Sequence, residues 1–324
     1  MSENINFTAN TDLSVKIAGI HFRNPVIAAS GTFGFGREYS SMTDISVLGG
    51  ICTKGLTLTP RLGNTGVRIC ETPSGLLNSI GLENPGINHF IEHDLPYLRQ
   101  LGPVIIANLS GAEAGEYIKG ASILNESTVD MIELNISCPN VKAGGISFGL
   151  DPGTAATLVA AVKRVCTIKP LIVKLSPNAP SLPAVSLSCI KAGADALSLI
   201  NSFRAMAIDT VNRKPIFDNI SAGLSGPAIK PIALNMVWEL IKILRDSKSN
   251  VPVIGIGGIA CTNDALEFLM AGASAIQVGA ATFVNPNTMT EIIGGINNYL
   301  IKNNMSNINQ ISIRVEKEDH GKYY

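Results

Sequence analysis

Eight short apolar runs punctuate the chain, and most of them end in a cluster of Gly, Asn, Ser or Pro. They are "PVIAAS" (25–30), "GGICTK" (49–54), "PVIIANLS" (103–110), "MIELNIS" (131–137), "PLIVKLS" (170–176), "ALSLINS" (196–202), "VPVIGIGG" (251–258) and "SAIQVGA" (274–280). Near-continuous apolar runs of this length suit strands covered on both faces, the condition of a parallel sheet. Helical patterns separate the later ones. In "PIALNMVWELIKILRDSKS", Ala233, Met236, Val237, Leu240, Ile241 and Leu244 recur at helical spacing and form one apolar face. "TNDALEFLMAGA" predicts a second helix, opened by Thr262 or Asn263 as N-cap and closed at Gly272.

Eight β-then-α units predict an α/β protein of the closed (β/α)8 TIM-barrel type rather than an open, doubly wound sheet. The polar residues favour closure: Ser30, Lys54, Asn108, Asn135 with Cys138, Lys174, Asn201 with Ser202, Gly257 with Gly258, and Gly279 sit at or just after the ends of all eight runs. A barrel gathers ligand residues from every strand end, whereas an open sheet gathers them near one switch point. One domain is expected over residues 1–324, with a polar tail from about 303. Residues 55–100 and 203–230 are too long for plain connections and are expected as excursions over the C-terminal mouth.

Composition narrows the function. The 324 residues are 46% hydrophobic and 15% charged with a formal net charge of zero, so there is no basic footprint for nucleic acid. No apolar run reaches the ~18 residues of a membrane span, and the surplus apolar surface fits a doubly covered sheet and a subunit interface. The opening stretch "MSENINFTANTDLSVKIAGI" lacks a basic region followed by an apolar one, so a cytoplasmic location is expected. The six cysteines form no CxxC pair, and no metal site is expected. Five of them read as small buried hydrophobes, while Cys138 differs because its neighbours are polar and turn-forming.

Three kinds of residue carry chemistry. "GIGGI" (255–259) and "VGAATF" (278–283) end adjacent strands, and "LSGPAIKP" (224–231) opens the preceding helix; such turns bring backbone N–H groups close to a phosphate. Lys54 and Lys174 end buried strands, where an ammonium needs an anionic or carbonyl partner. Few acidic residues lie at those strand ends, so ligand contacts are expected for both. Asn78, Asn108, Asn135 and Asn201, with Asn140 after Cys138, offer paired donors and acceptors suited to the edge of a flavin or a pyrimidine. Residues alone leave other chemistries open, including an aldolase-type barrel with Lys174 as Schiff base.

Longer motifs are more specific. "NPVIAASGTFGFGREY", "LLNSIGLENPG", "ELNISCPNVKAGGISFG", "VKLSPN", "LSGPAIKP" and "IGIGGI" resemble the dihydroorotate dehydrogenases, in order, from about residue 13 to 295. The pattern is most similar to the catalytic subunit of the class 1B, NAD-linked type. "NISCPN" followed by "KAGG" differs from the membrane-bound class 2 pattern, which has serine at the base position. "TKGLT", "INSF" and Ala280 in "VGAAT" vary from the family without removing a functional side chain. A related FMN barrel acting on another pyrimidine remains the neighbouring alternative.

The resemblance implies an FMN over the barrel mouth and oxidation of dihydroorotate to orotate in pyrimidine biosynthesis. Gly226, Gly257, Gly258, Gly279 and Ala280 would hold the phosphate and ribityl chain, and Lys174 would face the N1/C2 carbonyl edge of the ring. Ser30, Lys54, Gly55, Asn108, Asn135 and Ile200 would complete the cofactor shell. Lys54, Asn78, Asn135, Asn201 and Ser202, with the backbone N–H groups of Ser79, Ile80, Gly81 and Leu82, would bind the substrate and its carboxylate. Cys138 would be the catalytic base, taking a proton from C5 on the face opposite the flavin, with Gly144 and Gly145 letting its loop open. The chain has neither a dinucleotide fingerprint nor a cysteine cluster. The resemblance implies that FAD and a [2Fe–2S] centre sit on a partner subunit that relays electrons to NAD+, within a heterotetramer built on a homodimer of this chain.

Overall fold

A computed structural model describes residues 11–136 and 148–311. Its centre is a closed barrel of eight parallel strands, each coinciding with one of the eight apolar runs: β1 (Val26–Ala28), β2 (Gly50–Cys52), β3 (Val104–Leu109), β4 (Met131–Asn135), β5 (Leu171–Lys174), β6 (Ala196–Leu199), β7 (Val253–Ile256) and β8 (Ala275–Val278). Neighbours in sequence are neighbours in the barrel, and β8 closes on β1 through the register Gln277↔Ile27.

Among the described residues, seven helices of seven or more residues wrap the strands: α1 (Leu95–Leu101), α2 (Ala114–Glu126), α3 (Pro152–Val165), α4 (Leu182–Lys191), α5 (Lys230–Asp246), α6 (Thr262–Met270) and α7 (Thr288–Lys302). Their starts are chemically marked. Asp151 caps α3 by accepting from the Thr154 N–H at 2.7 Å, and Ser181 caps α4 through Ala184. On α5 the expected face is buried at Ala233, Val237, Leu240, Ile241 and Leu244, with Met236 half-buried at its edge. Each of the buried valine, leucine and isoleucine side chains contributes about 1.5–3 kcal/mol relative to exposure. The N-cap of α6 is Cys261, one position before the expected Thr262 or Asn263. Asp264 decides this, because its carboxylate accepts the N–H groups of Ala260 (2.9 Å) and Cys261 (3.2 Å) and fixes the first turn there. The chain leaves that helix through Gly272 at φ +105°, as expected.

Strand alternation divides the interior into layers. Outward residues such as Ile51, Ala107, Leu134, Val173 and Leu199 pack beneath the helices. Inward residues at the base, among them Ile27, Ile106, Met131, Ile172, Ala196, Ile254 and Ala275, form a separate apolar core. Ile17 and Phe22 of the N-terminal hairpin plug it from below. Two residues further along, the same face turns polar on five strands: Asn108 on β3, Glu133 on β4, Lys174 on β5, Ser198 on β6 and Gln277 on β8.

The two predicted excursions meet above the mouth. Strands Ile69–Thr72 and Gly75–Asn78 from the first pair with Ala222–Ser225 and Phe203–Ala205 from the second, giving one four-stranded antiparallel sheet. Gly223 lies opposite Asn78, and the Asn78 amide donates to the Gly223 carbonyl at 3.1 Å. Among the described residues no helix is long and apolar enough to cross a membrane.

Candidate active site

A cavity of about 310 Å³ opens at the C-terminal end of the barrel, under that sheet. One wall is made of turns that leave β7, β8 and the strand Ala222–Ser225. Gly226, Gly257, Gly258, Gly279 and Ala280 all line it, so the five residues expected to hold a phosphate converge. Gly258 has φ +69°, and a Cβ there would stand 2.8 Å from the Gly226 carbonyl oxygen. The turns are thus pressed together as only glycine permits, leaving backbone exposed to the cavity. The neighbouring Lys230 is not a spare cation, since Asp264 (2.8 Å) and Glu267 (2.9 Å) hold its ammonium. These contacts, the Asp264 hydrogen bond foremost, hold Lys230 above the ordinary lysine range. The anion-binding capacity of this wall therefore lies in its main chain.

The floor and opposite wall are supplied by other strand ends. Ser30, Lys54, Gly55, Asn135, Lys174 and Ile200 line the cavity together. Asn78, Ile80, Gly81, Leu82, Asn201 and Ser202 line it on the side of the covering sheet. Asn135 and Asn201 are linked, Asn201 Nδ2 donating to Asn135 Oδ1 at 3.4 Å, and Tyr117 donates to the Asn135 carbonyl at 2.9 Å. Two expected residues stand behind the lining. Asn108 is fully buried on the inward face of β3, below the floor. Ser79 is also buried: its backbone N–H, expected on the substrate, donates to the Arg68 carbonyl at 2.8 Å, and its hydroxyl accepts from Asn64 at 3.1 Å. Cys138, Asn140, Gly144 and Gly145 lie outside the described residues.

Both strand-end lysines have carboxylate partners, which corrects the expectation that few acids lie near them. Lys54 Nζ is 3.7 Å from Glu83 Oε2, and Arg68 donates to the same carboxylate. The Arg68 hydrogen bond and then the Lys54 charge hold the Glu83 carboxyl below its usual range. Lys174 Nζ is 3.8 Å from Glu133 Oε1, with Lys174 7% and Glu133 0% exposed. Both lysines still line the cavity, so the ion pairs hold them in place without removing them from it.

Glu133 is the residue that sequence reasoning missed. Its Oε1 accepts from Asn108 Nδ2 (2.7 Å) and Cys52 Sγ (3.2 Å), and its Oε2 from Ser198 Oγ (2.8 Å) and Gln277 Nε2 (2.8 Å). Burial opposes its ionisation, but the Lys174 charge and the hydrogen bonds from Gln277, Ser198 and Cys52 outweigh burial and leave its pKa below the usual glutamate value. Burial first, and then the Glu133 charge, push the Cys52 thiol far up, so it serves here as a neutral donor. A signal did exist: Glu133, Ser198 and Gln277 are polar residues in the middle of otherwise apolar runs. The Glu133–Lys174 pair also argues against a Schiff-base role, which needs a neutral amine rather than an ion-paired ammonium.

The residues present fit a flavin mononucleotide. Glycine turns that offer main chain for a phosphate, an apolar flank at Ile200 for a ring and an ammonium on the floor for its polar edge are the surroundings such a group requires. Among the described residues no group of three or more His, Cys, Asp or Glu could hold a metal ion.

Comparison with known proteins agrees with this geometry. A family model described as dihydroorotate dehydrogenase matches residues 12–300. The chain is 58% identical over 300 residues to the dihydroorotate dehydrogenase B (NAD(+)), catalytic subunit, of Petrotoga mobilis, covering 93% of this chain and 98% of that protein. It is 52% identical over 304 residues to the protein of the same name from Geotalea daltonii, covering 94% and 98%. With that of Thermoanaerobacter pseudethanolicus it shares 48% identity over 307 residues, covering 94% and 100%.

Proposed function

The chain belongs to the dihydroorotate dehydrogenase family, and from that premise we propose that it is the catalytic subunit of an NAD+-linked enzyme that oxidises dihydroorotate to orotate in pyrimidine biosynthesis. The observation that supports this most is the convergence on one cavity of a glycine-walled anion cradle with Lys54, Asn78, Asn135, Lys174, Asn201 and Ser202. The cradle takes the phosphate of FMN and Lys174 faces the polar edge of its ring. The amides of Asn78, Asn135 and Asn201 take the ring edges of the substrate, and Lys54 takes its carboxylate.

Bound FMN supplies the hydride acceptor for C6 of dihydroorotate. The chain supplies everything else: Asn135 and Asn201, tied to one another, orient the substrate ring, and Cys138 removes the C5 proton. A cysteine suits that task because its ordinary pKa, about 8.5, leaves a thiolate fraction near neutrality. Electrons leave this chain for a partner subunit carrying FAD and a [2Fe–2S] centre, which reduces NAD+. The assembly is a heterotetramer in the cytoplasm, built on a homodimer of this single-domain chain.

Anaerobic mixing of the purified chain with dihydroorotate tests the half-reaction without the partner. A yellow protein whose flavin band bleaches on mixing is the expected result. A colourless protein, or a flavin band that dihydroorotate leaves intact, would rule the reading out.

A further inference from the structure

Glu133 lies beneath the cavity, touches none of it, and yet is the most heavily hydrogen-bonded carboxylate of the barrel interior among the described residues. Four donors from four strands, Cys52, Asn108, Ser198 and Gln277, converge on its two oxygens, and Lys174 from a fifth strand stands 3.8 Å away. An apolar side chain would fill this layer without the desolvation cost of a charge, so packing alone does not explain a carboxylate here. The donors hold it ionised, in agreement with its lowered pKa. The fixed negative charge is therefore a property of the floor on which the cavity rests.

We propose that Glu133 is a positioning residue for the redox step: acting through Lys174, it sets how strongly the bound flavin holds electrons. This rests on the reading above, in which Lys174 faces the polar edge of FMN. An unpaired ammonium beside that edge would favour the extra negative charge of the reduced ring and retain it. A carboxylate on the far side of the ammonium opposes that charge and tempers the lysine. Such an arrangement suits a subunit that must take electrons from its substrate and then give them up to another protein. The ion pair also holds the Lys174 ammonium at the cavity, so charge and position are set together.

The test is the midpoint potential of the FMN-loaded full chain, read by equilibration with a reference dye, for wild type, Glu133→Gln, Glu133→Asp, Lys174→Gln and the Glu133→Gln/Lys174→Gln pair. Glutamine can be accommodated, because Gln277 Oε1 has no partner and can turn to accept from the new amide. Glu133→Gln is expected to shift the equilibrium about tenfold toward reduced flavin, roughly 30 mV for a two-electron couple. Glu133→Asp keeps the charge and should stay near wild type. Lys174→Gln should lower the potential, and the paired variant should lie above Lys174→Gln alone. That last comparison decides the matter if Glu133→Gln alone does not fold. If Lys174→Gln lowers the potential while removal of the Glu133 charge raises it in neither background, the inference is overturned and the reading of Lys174 stands. An aspartate variant that rises as far as the glutamine one also overturns it, because the effect would then be one of shape. If Lys174→Gln leaves the potential unmoved, the placement of Lys174 at the flavin fails, and the inference falls with it.

Discussion

Gly258 faces the carbonyl of Gly226 so closely that a methyl group on its α-carbon would stand 2.8 Å from that oxygen, and its φ of +69° lies in the left-handed region. Contact and conformation both exclude a side chain. Gly258→Ala must widen the gap between the two turns and also bears about 1–2 kcal/mol of backbone strain. The expected outcome is a folded protein that retains FMN at least tenfold less tightly, measured by flavin absorbance after gel filtration. Retention equal to wild type would show that this wall does not hold the phosphate.

Lys54 lines the cavity while paired with Glu83 at 3.7 Å. Lys54→Met keeps most of the stem and removes the charge. It should raise KM for dihydroorotate in the flavin-loaded fraction about ten- to a hundredfold, the worth of one charge-assisted hydrogen bond. Steady-state kinetics beside an absorbance spectrum separate this from loss of cofactor.

Cys138→Ala should retain flavin and lose most turnover, since an alanine cannot take the C5 proton. Cys138→Ser should keep weak activity concentrated at high pH, because a hydroxyl ionises far less readily than a thiol near 8.5. Stopped-flow bleaching of the flavin against pH reads both variants. Unchanged bleaching in Cys138→Ala would dismiss the residue as base.

Glu133 makes an acid-stability prediction. Its carboxyl has a lower pKa folded than unfolded, so the native state binds fewer protons there. The resulting stability is full above the unfolded value of about 4.3 and is lost as pH falls through the lower folded value. Urea unfolding followed from pH 7 into the acid should therefore decline more shallowly in Glu133→Gln than in wild type. Glu133→Ala strands a buried ammonium and should cost about 3–5 kcal/mol at neutral pH.

The barrel was legible because its strands are buried on both faces, and continuous apolar runs such as "PLIVKLS" need no long-range information to be recognised. The glycine wall was legible for a similar reason, since GIGGI and VGAATF end consecutive strands whose neighbourhood follows from the fold. Glu133 was not, because a carboxylate inside an apolar run gains its meaning only from Ser198 and Gln277, 65 and 144 residues away. The covering sheet was hidden similarly. Its strands are three or four residues long, and Asn78 finds Gly223 across 145 residues. Ser79 and Asn108 stand behind the lining for reasons the sequence does not display, since the Arg68 carbonyl takes the Ser79 N–H and depth places Asn108 beneath the floor.

That shared sheet constrains how the scaffold could diverge. Because each excursion supplies hydrogen bonds that the other needs, grafting a foreign substrate loop in place of either one alone would leave a bare strand edge above the mouth. New specificities would have to arise by exchanging both segments as a unit, or by point changes that leave their ladder intact.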